Sequence, residues 1–375
     1  MKVLITGSEG FIGKNLQLFL AERKDVEVVR YTRQNTVAQL PDIMREVEFV
    51  FHLAGANRPK ELREFTTDNR DLTQALCSAA REVADTVGKK IPLLFTSSIQ
   101  AGGDTPYGLS KRAGEEAAFV LRQNHGVPVH VFRLPNVFGK WGRPNYNSAV
   151  ATFCYNIARG FPIEVRDPAA PLPLIYIDDL VARFIQLMDR GETAEDANGY
   201  ETATPQYSTT VGEVAKLIYR FKDSRETLTT EPVGAGFVRA LNSTYISYLP
   251  AESFAYAIPQ HIDQRGAFVE MLKTKDSGQF SYFSAHPGVT RGGHYHHSKT
   301  EKFLVIRGQA RFKFRHLHTD EVYELLTGSD KAEIVETAPG WAHDITNIGE
   351  EEMIVILWAN EIFDRAHPDT YACPL

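Results

Sequence analysis

Cysteine is scarce: Cys77, Cys154 and Cys373 are the only three in 375 residues. So few, and so far apart, they fit a reducing compartment better than a disulfide framework. Long apolar runs are missing too, and no stretch approaches the roughly eighteen residues of a membrane span. Basic residues number 41 against 47 acidic ones, for a formal net charge of -6. They form no stripe, which removes the electrostatic footprint of a nucleic-acid binder and points to a small-molecule partner. Internal repeats and low-complexity tracts are also absent. The start MKVLITG runs straight into an expected strand and leaves no room for an export signal, so cytoplasm is the expected compartment.

What remains is a globular composition, 43% hydrophobic and 23% charged, in a chain long enough for two cores. Up to about Phe221, short apolar runs alternate with helical patterns. KVLITG, VEVVRY, EFVFHLAG, PLLFTSS and VHVFRLP read as buried strands. FIGKNLQLFLAER and NRDLTQALCSAAREVADTV place apolar residues three and four apart. This alternation predicts a parallel sheet flanked by helices. After about residue 240 the period becomes two, with Ala310, Phe312 and Phe314 alternating with Arg311, Lys313 and Arg315. That half reads as antiparallel β, and nine of the twelve histidines lie in it. The expected seam falls between Leu241 and Leu249, giving domains of residues 1–245 and 246–375.

TGSEGFIG sets Gly7, Gly10 and Gly13 directly after the first strand and at the head of the first helix. Gly7 and Gly10 would permit a tight turn and close approach of a pyrophosphate to the helix N-terminus, while Gly13 would let the helix pack on the sheet. Phe11 and Ile12, which open that helix, are counted with them as cofactor-binding. The second strand ends in Tyr31, Thr32 and Arg33, with no carboxylate to bind ribose hydroxyls. Arg33 suits a 2'-phosphate, so NADPH is expected. In YGLSK, Tyr107 and Lys111 lie one helical turn apart. Lys111 is expected to lower the tyrosine pKa so that the pair protonates a carbonyl oxygen as hydride arrives.

GGHYHHSKTEKF, residues 292–303, concentrates imidazoles. His294 and His296 would share one face of a strand and His297 the other, toward substrate or behind the ligands. With Glu301 and with His343 of APGWAHDITN they make a donor set that Zn²⁺, Fe²⁺ or Mn²⁺ accepts. His316 and His318 have no carboxylate at ligand spacing and are expected on the surface.

In order along the chain, TGSEGFIG, HLAG, TSS, YGLSK, RLPNVFG and YIDD make residues 1 to about 240 resemble an extended short-chain dehydrogenase/reductase of the kind that modifies nucleotide sugars. The resemblance implies that Leu53 and Ala54 line the cofactor cleft, Ser98 hydrogen-bonds the substrate carbonyl, Lys111 also holds the nicotinamide ribose and Asn136 contacts the sugar nucleotide. Only eight residues separate Ser98 from Tyr107, which leaves Ser97 and Gln100 as alternatives for the serine role. Residues 260–375 resemble the cupin double motif, except that Pro339 directly precedes Gly340. The fold class expected is thus α/β: a Rossmann-like reductase domain followed by an all-β cupin, or jelly roll.

The two halves together, with SSIQA, TPYGLSK, FGKWGRPNYNSAVATFCY, STYISYLP, HYHH and EKFLVIRG, resemble the CapF family of bifunctional capsular polysaccharide enzymes. That likeness implies C3 epimerisation of a UDP-2-acetamido-2,6-dideoxy-4-hexulose in the cupin. NADPH-dependent C4 reduction would then give UDP-2-acetamido-2,6-dideoxy-L-talose, on the route to UDP-N-acetyl-L-fucosamine for capsule or O-antigen. Zinc is the expected metal, as Lewis acid or as brace of the barrel, and a homodimer the expected assembly. Lys302 is the first candidate for proton transfer in the cupin, provided burial depresses its pKa; Tyr295 and His297 are the alternatives. Two rival readings make the cupin a sugar-binding or dimerising module without chemistry, or a metal-dependent sugar isomerase.

Overall fold

The computed structural model describes all 375 residues except 59, 60, 62, 264, 265, 270, 275–277 and 362–365. For the rest of 260–270 and for 279 only the backbone is described. Five strands, β1 (Lys2–Thr6), β2 (Glu27–Tyr31), β3 (Phe49–His52), β4 (Leu93–Ser98) and β5 (Val129–Leu134), form a parallel sheet ordered β2-β1-β3-β4-β5. β3 and β4 are buried throughout, as continuous apolar runs covered on both faces must be. β2 departs from the expected buried strand: it stands at the sheet edge with Glu27 and Arg30 exposed, and of its five residues Tyr31 alone is buried.

Helices α1 (Phe11–Ala21), α2 (Leu40–Glu46), α3 (Leu72–Val87) and α4 (Pro106–His125) connect these strands. Leu76, Ala80 and Val83 of α3 and Ala118 and Leu121 of α4 seal against Val50, Leu93 and Val131. The strand order reverses between β1 and β3, the place where open α/β sheets take their ligands. β6 (Asn136–Phe138), β7 (Pro171–Tyr176) and β8 (Gln206–Thr210) make a small second sheet. Four more helices, α5 (Ala149–Ala158), α6 (Ile177–Arg190), α7 (Val211–Thr227) and α8 (Gly236–Ser247), complete the helical part.

The later strands are β9 (Ala255–Ala257), β10 (Gln260–Asp263), β11 (Gly266–Val269), β12 (Gln279–Ala285), β13 (Thr290–Tyr295) and β14 (Glu301–Arg307). They continue as β15 (Gln309–His316), β16 (Val322–Gly328), β17 (Glu333–Glu336), β18 (Trp341–Asn347), β19 (Met353–Ala359) and β20 (Tyr371–Ala372). β10 and β11 form a hairpin; the others build two antiparallel five-stranded sheets, β12-β19-β14-β17-β9 and β16-β15-β18-β13-β20. Phe303 of one sheet meets Phe312 of the other at 5.5 Å between ring centres, so alternate residues of both inner faces fill a shared core. The expected α/β class with an antiparallel cupin-like rear domain is borne out.

Contacts divide the chain into two compact units, Met1–Val137 with Pro173–Ser208, and Phe138–Leu172 with Thr209–Leu375. α7, α8 and the segment carrying α5 therefore pack with the β-rich half, and residues 241–247, at the expected seam, are the last turns of α8. Among the described residues no helix is long and apolar enough to cross a membrane.

Candidate functional site

Gly7, after β1, has φ +67°, and a methyl there would lie 2.7 Å from Ala54 N. The glycine turn is therefore pressed against HLAG at the end of β3, closing the two sides of the switch-point crevice. α1 starts at Phe11 with Gly10 as its N-cap, leaving first-turn amides, those of Phe11 and Ile12 included, without helical acceptors. A methyl on Gly13 would sit 2.3 Å from Gly7 O. Gly13→Ala is expected to force α1 off the turn, destabilising the fold by roughly 1–3 kcal/mol and weakening nucleotide binding, as urea unfolding and cofactor titration would record.

One turn of α4 brings the reducing residues together. Thr105 caps that helix by accepting from Gly108 N at 3.0 Å, and Pro106 occupies its first position. Lys111 is buried, its Nζ donating to Thr96 O at 3.0 Å. Burial lowers its pKa to about 8, with Glu115 pulling the other way. Glu115, one turn further, takes Ser97 Oγ at 2.5 Å, Arg133 Nε at 2.9 Å and Nη2 at 2.6 Å, and Tyr200 OH at 3.1 Å. Ser97 is thus engaged with Glu115, whereas the Ser98 hydroxyl is the group that opposes the rise of the Tyr107 pKa. Gln100 is exposed, and its amide N–H donates to Ser98 Oγ at 3.2 Å.

The tyrosine departs from expectation. Burial raises the Tyr107 pKa and Ser98 only partly opposes it, while Lys111 is turned to Thr96 and contributes no lowering. Arg33 is 90% exposed, 3.5 Å from Asp68. Asn136 is exposed and donates to Pro173 O at 3.3 Å. Asn69 escaped the sequence reading. It lies in a π-helical turn, Phe65–Asp71, accepts from Ala56 N at 2.7 Å and donates to Ser110 Oγ at 2.8 Å. A methyl on Gly55 would meet both Asn69 Oδ1, at 2.8 Å, and Lys111 Nζ, at 2.9 Å. An asparagine inside a helical run was its one available signal.

In the rear unit, His294, His296, Glu301 and His343 offer ligand atoms that all lie within 4.8 Å of one another. β13 and β18 pair His294 with His343, which puts both on the inner face, and the turn after β13 returns Glu301 at the head of β14. Burial, then the neighbouring imidazoles, lowers the His294 pKa to about 3. Burial would raise the Glu301 carboxyl, but His296 and His343 outweigh it and hold it well below its usual range. His296 Nδ1 lies 2.6 Å from Asp369 O, which can only accept, so the proton of a neutral ring is assigned to Nδ1. His296 Nε2 lies 3.1 Å from Glu301 Oε2, so both atoms turn toward the same point. His343 Nε2 is 3.4 Å from the same oxygen, and neither of its ring nitrogens makes a hydrogen bond among the described residues. Three imidazoles with one carboxylate, so gathered, are a donor set that fits a divalent transition metal.

Lys302 does not meet the condition set for a base. Strand alternation sends it to the face opposite Glu301, where it pairs with Glu336 of β17 and donates to Tyr256 OH at 2.9 Å. Burial alone would lower its pKa, but Glu336 raises it. Arg225 of α7 joins the same carboxylate at 2.5 Å, so these charges brace helix to barrel. The lysine that reaches the cluster is Lys299, 3.8 Å from Glu301 Oε1, a residue the sequence reading passed over. Tyr295 and His297 lie on the other face of the strand, buried against Tyr371. His316 is not a surface residue either: half-buried, it accepts from Trp141 Nε1 at 3.1 Å and packs on Trp341, while His318 is exposed as expected.

Comparison with known proteins gives the same two parts. Residues 3–201 match the NAD dependent epimerase/dehydratase family, and residues 261–371 match the polysaccharide biosynthesis C-terminal domain. The chain is 59% identical over 373 residues to the UDP-2-acetamido-2,6-beta-L-arabino-hexul-4-ose reductase of Pseudomonas aeruginosa, covering 100% of this chain and 98% of that one. Among solved structures it is similar to the capsular polysaccharide assembling protein CapF from Staphylococcus aureus, at 40% identity and a TM-score of 0.67 with both chains covered in full. A CapF crystallised with the inhibitor 3-isopropenyl-tropolone is 36% identical, with a TM-score of 0.61 and the same full coverage.

Proposed function

The chain belongs to the NAD dependent epimerase/dehydratase family, as a UDP-sugar 4-keto reductase of the CapF kind, and from that premise we propose that it carries out two reactions on one sugar. The cupin-like unit inverts C3 of a UDP-2-acetamido-2,6-dideoxy-4-hexulose, and the front unit then reduces C4 to the L-talo sugar. Chemistry dictates this order. A C4 ketone acidifies the C3 proton, and reduction abolishes that acidity.

In the front unit Tyr107 is the acid. A phenol whose pKa burial holds high stays protonated near neutrality, the state needed to give a proton to O4. Ser98 orients that phenol, Lys111 supplies a buried positive charge one helical turn along, and Asn136 contacts the sugar nucleotide. Gly7, Gly10, Phe11, Ile12, Gly13, Leu53 and Ala54 would hold a dinucleotide at the switch point, with Arg33 favouring NADPH. When bound, the reduced nicotinamide supplies the hydride. Lys111 loses its proton near pH 8, so reduction at saturating substrate is expected to fall as pH rises through about 8. Glu115→Gln removes the charge that sustains the ammonium and should move that fall to lower pH in a stopped-flow pH profile.

In the rear unit His294, His296, Glu301 and His343 would hold the divalent ion, with zinc the best match to the donor set. Bound there, it would supply a Lewis acid beside the sugar oxygen or a brace for the barrel. Tropolones carry two adjacent oxygens suited to chelation, so the inhibitor of the CapF relative supports a metal reading. The observation that supports the two-reaction proposal is the convergence of a His–Glu cluster in a chain whose front unit also sets Tyr107 and Lys111 one helical turn apart. Incubation of the 4-keto sugar nucleotide in D₂O without NADPH tests it. Deuterium is expected at C3; a protein that reduces normally yet leaves C3 unlabelled makes the cupin a binding or dimerising module instead.

A further inference from the structure

Between His296 and Glu301 the chain makes a turn, His297, Ser298, Lys299, Thr300, whose geometry decides whether the two ligands meet. That turn is gripped from 70 residues away in sequence. Asp369 Oδ1 accepts the amide of His297 at 2.9 Å, and Oδ2 accepts those of Ser298 at 3.0 Å and Lys299 at 2.8 Å, with Ser298 Oγ at 3.1 Å. Three successive amides facing one way form an anion nest, and here the chain fills it with its own carboxylate. The same residue's carbonyl takes the His296 Nδ1 proton at 2.6 Å. Beyond it, β20 pairs with β13, aligning Tyr371 with Tyr295 and Ala372 with His294, and Cys373 N donates to Gly293 O at 2.7 Å. Asp369 has φ +37°, a left-handed backbone that aspartate adopts more readily than most non-glycine residues.

We propose that Asp369 is the positioning residue of the His–Glu cluster: its carbonyl sets the tautomer of His296, so that Nε2 faces the ion, and its carboxylate fixes the turn that delivers Glu301. The proposal rests on the metal reading of that cluster. Asp369 is not one of the four clustered donors. Its effect is exerted through His296 and the turn, as groups that orient metal ligands do elsewhere.

The test is zinc affinity, measured by competition with a chromogenic chelator on the full chain. Asp369→Gly keeps the carbonyl and suits the left-handed backbone but empties the nest; its zinc affinity is expected to drop roughly 10- to 100-fold. The circular dichroism spectrum and cooperative thermal unfolding of the full chain serve as the check on folding, because Asp369 lies in the β-rich unit. Asp369→Asn keeps one acceptor oxygen and should fall between the two, and it carries the test should the glycine variant not fold. Wild-type affinity in a folded variant overturns the proposal alone and makes Asp369 a turn residue. A wild-type chain that binds no zinc overturns the metal reading as well.

Discussion

Tyr107→Phe is expected to lower NADPH oxidation by roughly 10²- to 10⁴-fold, the usual worth of a positioned proton donor, while solvent deuterium still enters C3 of the sugar at the wild-type rate. The phenylalanine ring occupies the same place against Phe65, whose ring centre is 5.9 Å away, so the pocket keeps its shape. What disappears is the hydroxyl that Ser98 addresses, a loss of about 0.5–1.5 kcal/mol in stability and too little to unfold the domain. No other hydroxyl with a raised pKa stands beside Ser98 and Lys111 among the described residues. Because Tyr107 lies in one compact unit and the His–Glu cluster in the other, the two readouts should separate cleanly. Loss of both activities in this variant would refute a division of labour between the units.

The parts that sequence made legible are those governed by local period. Buried runs of four to six residues became β1, β3, β4 and β5, and the glycine turn fell at the β1–α1 junction because only glycine tolerates φ +67° there with a neighbouring backbone at 2.7 Å. The clustering of the four candidate ligands was legible for the same reason, since the strand period places His294 and His296 together. That period also argued against Lys302, one residue after Glu301 and therefore on the other face, but the start of β14 had to be known before it could be applied. Contacts across long separations left no trace: Glu336 lies 34 residues from Lys302 and 111 from Arg225, and Trp141 lies 175 from His316. The Tyr107 pKa failed for a related reason. Lys111 sits one turn away as read, yet its ammonium points to the Thr96 carbonyl, and burial, which a sequence does not display, sets the direction.

Stripping divalent metal is expected to destabilise the β-rich unit and to abolish deuterium entry at C3, while leaving the Tyr107-dependent reduction intact. The physical argument lies in the cluster's donors. His294, His296, Glu301 and His343 gather their ligand atoms within 4.8 Å of one another, so that chelation leaves several lone pairs crowded at one point. A proton can relieve one such contact but not all, and burial resists charging His294 or His343, whose pKa values it lowers. The emptied site must therefore spread or admit water, loosening the ends of β13, β14 and β18 that converge there. An ion held at about a thousand times its Kd contributes about 4 kcal/mol to the folded state, so calorimetry before and after chelation should register a large fall in the unfolding temperature of this unit, reversed by adding zinc. Glu301→Gln removes the sole anionic donor and should reproduce the chelated state even in excess metal. Identical melting curves with and without chelator would mean that the cluster holds protons rather than a metal, and inversion at C3 would then have to proceed by side-chain acid–base chemistry alone.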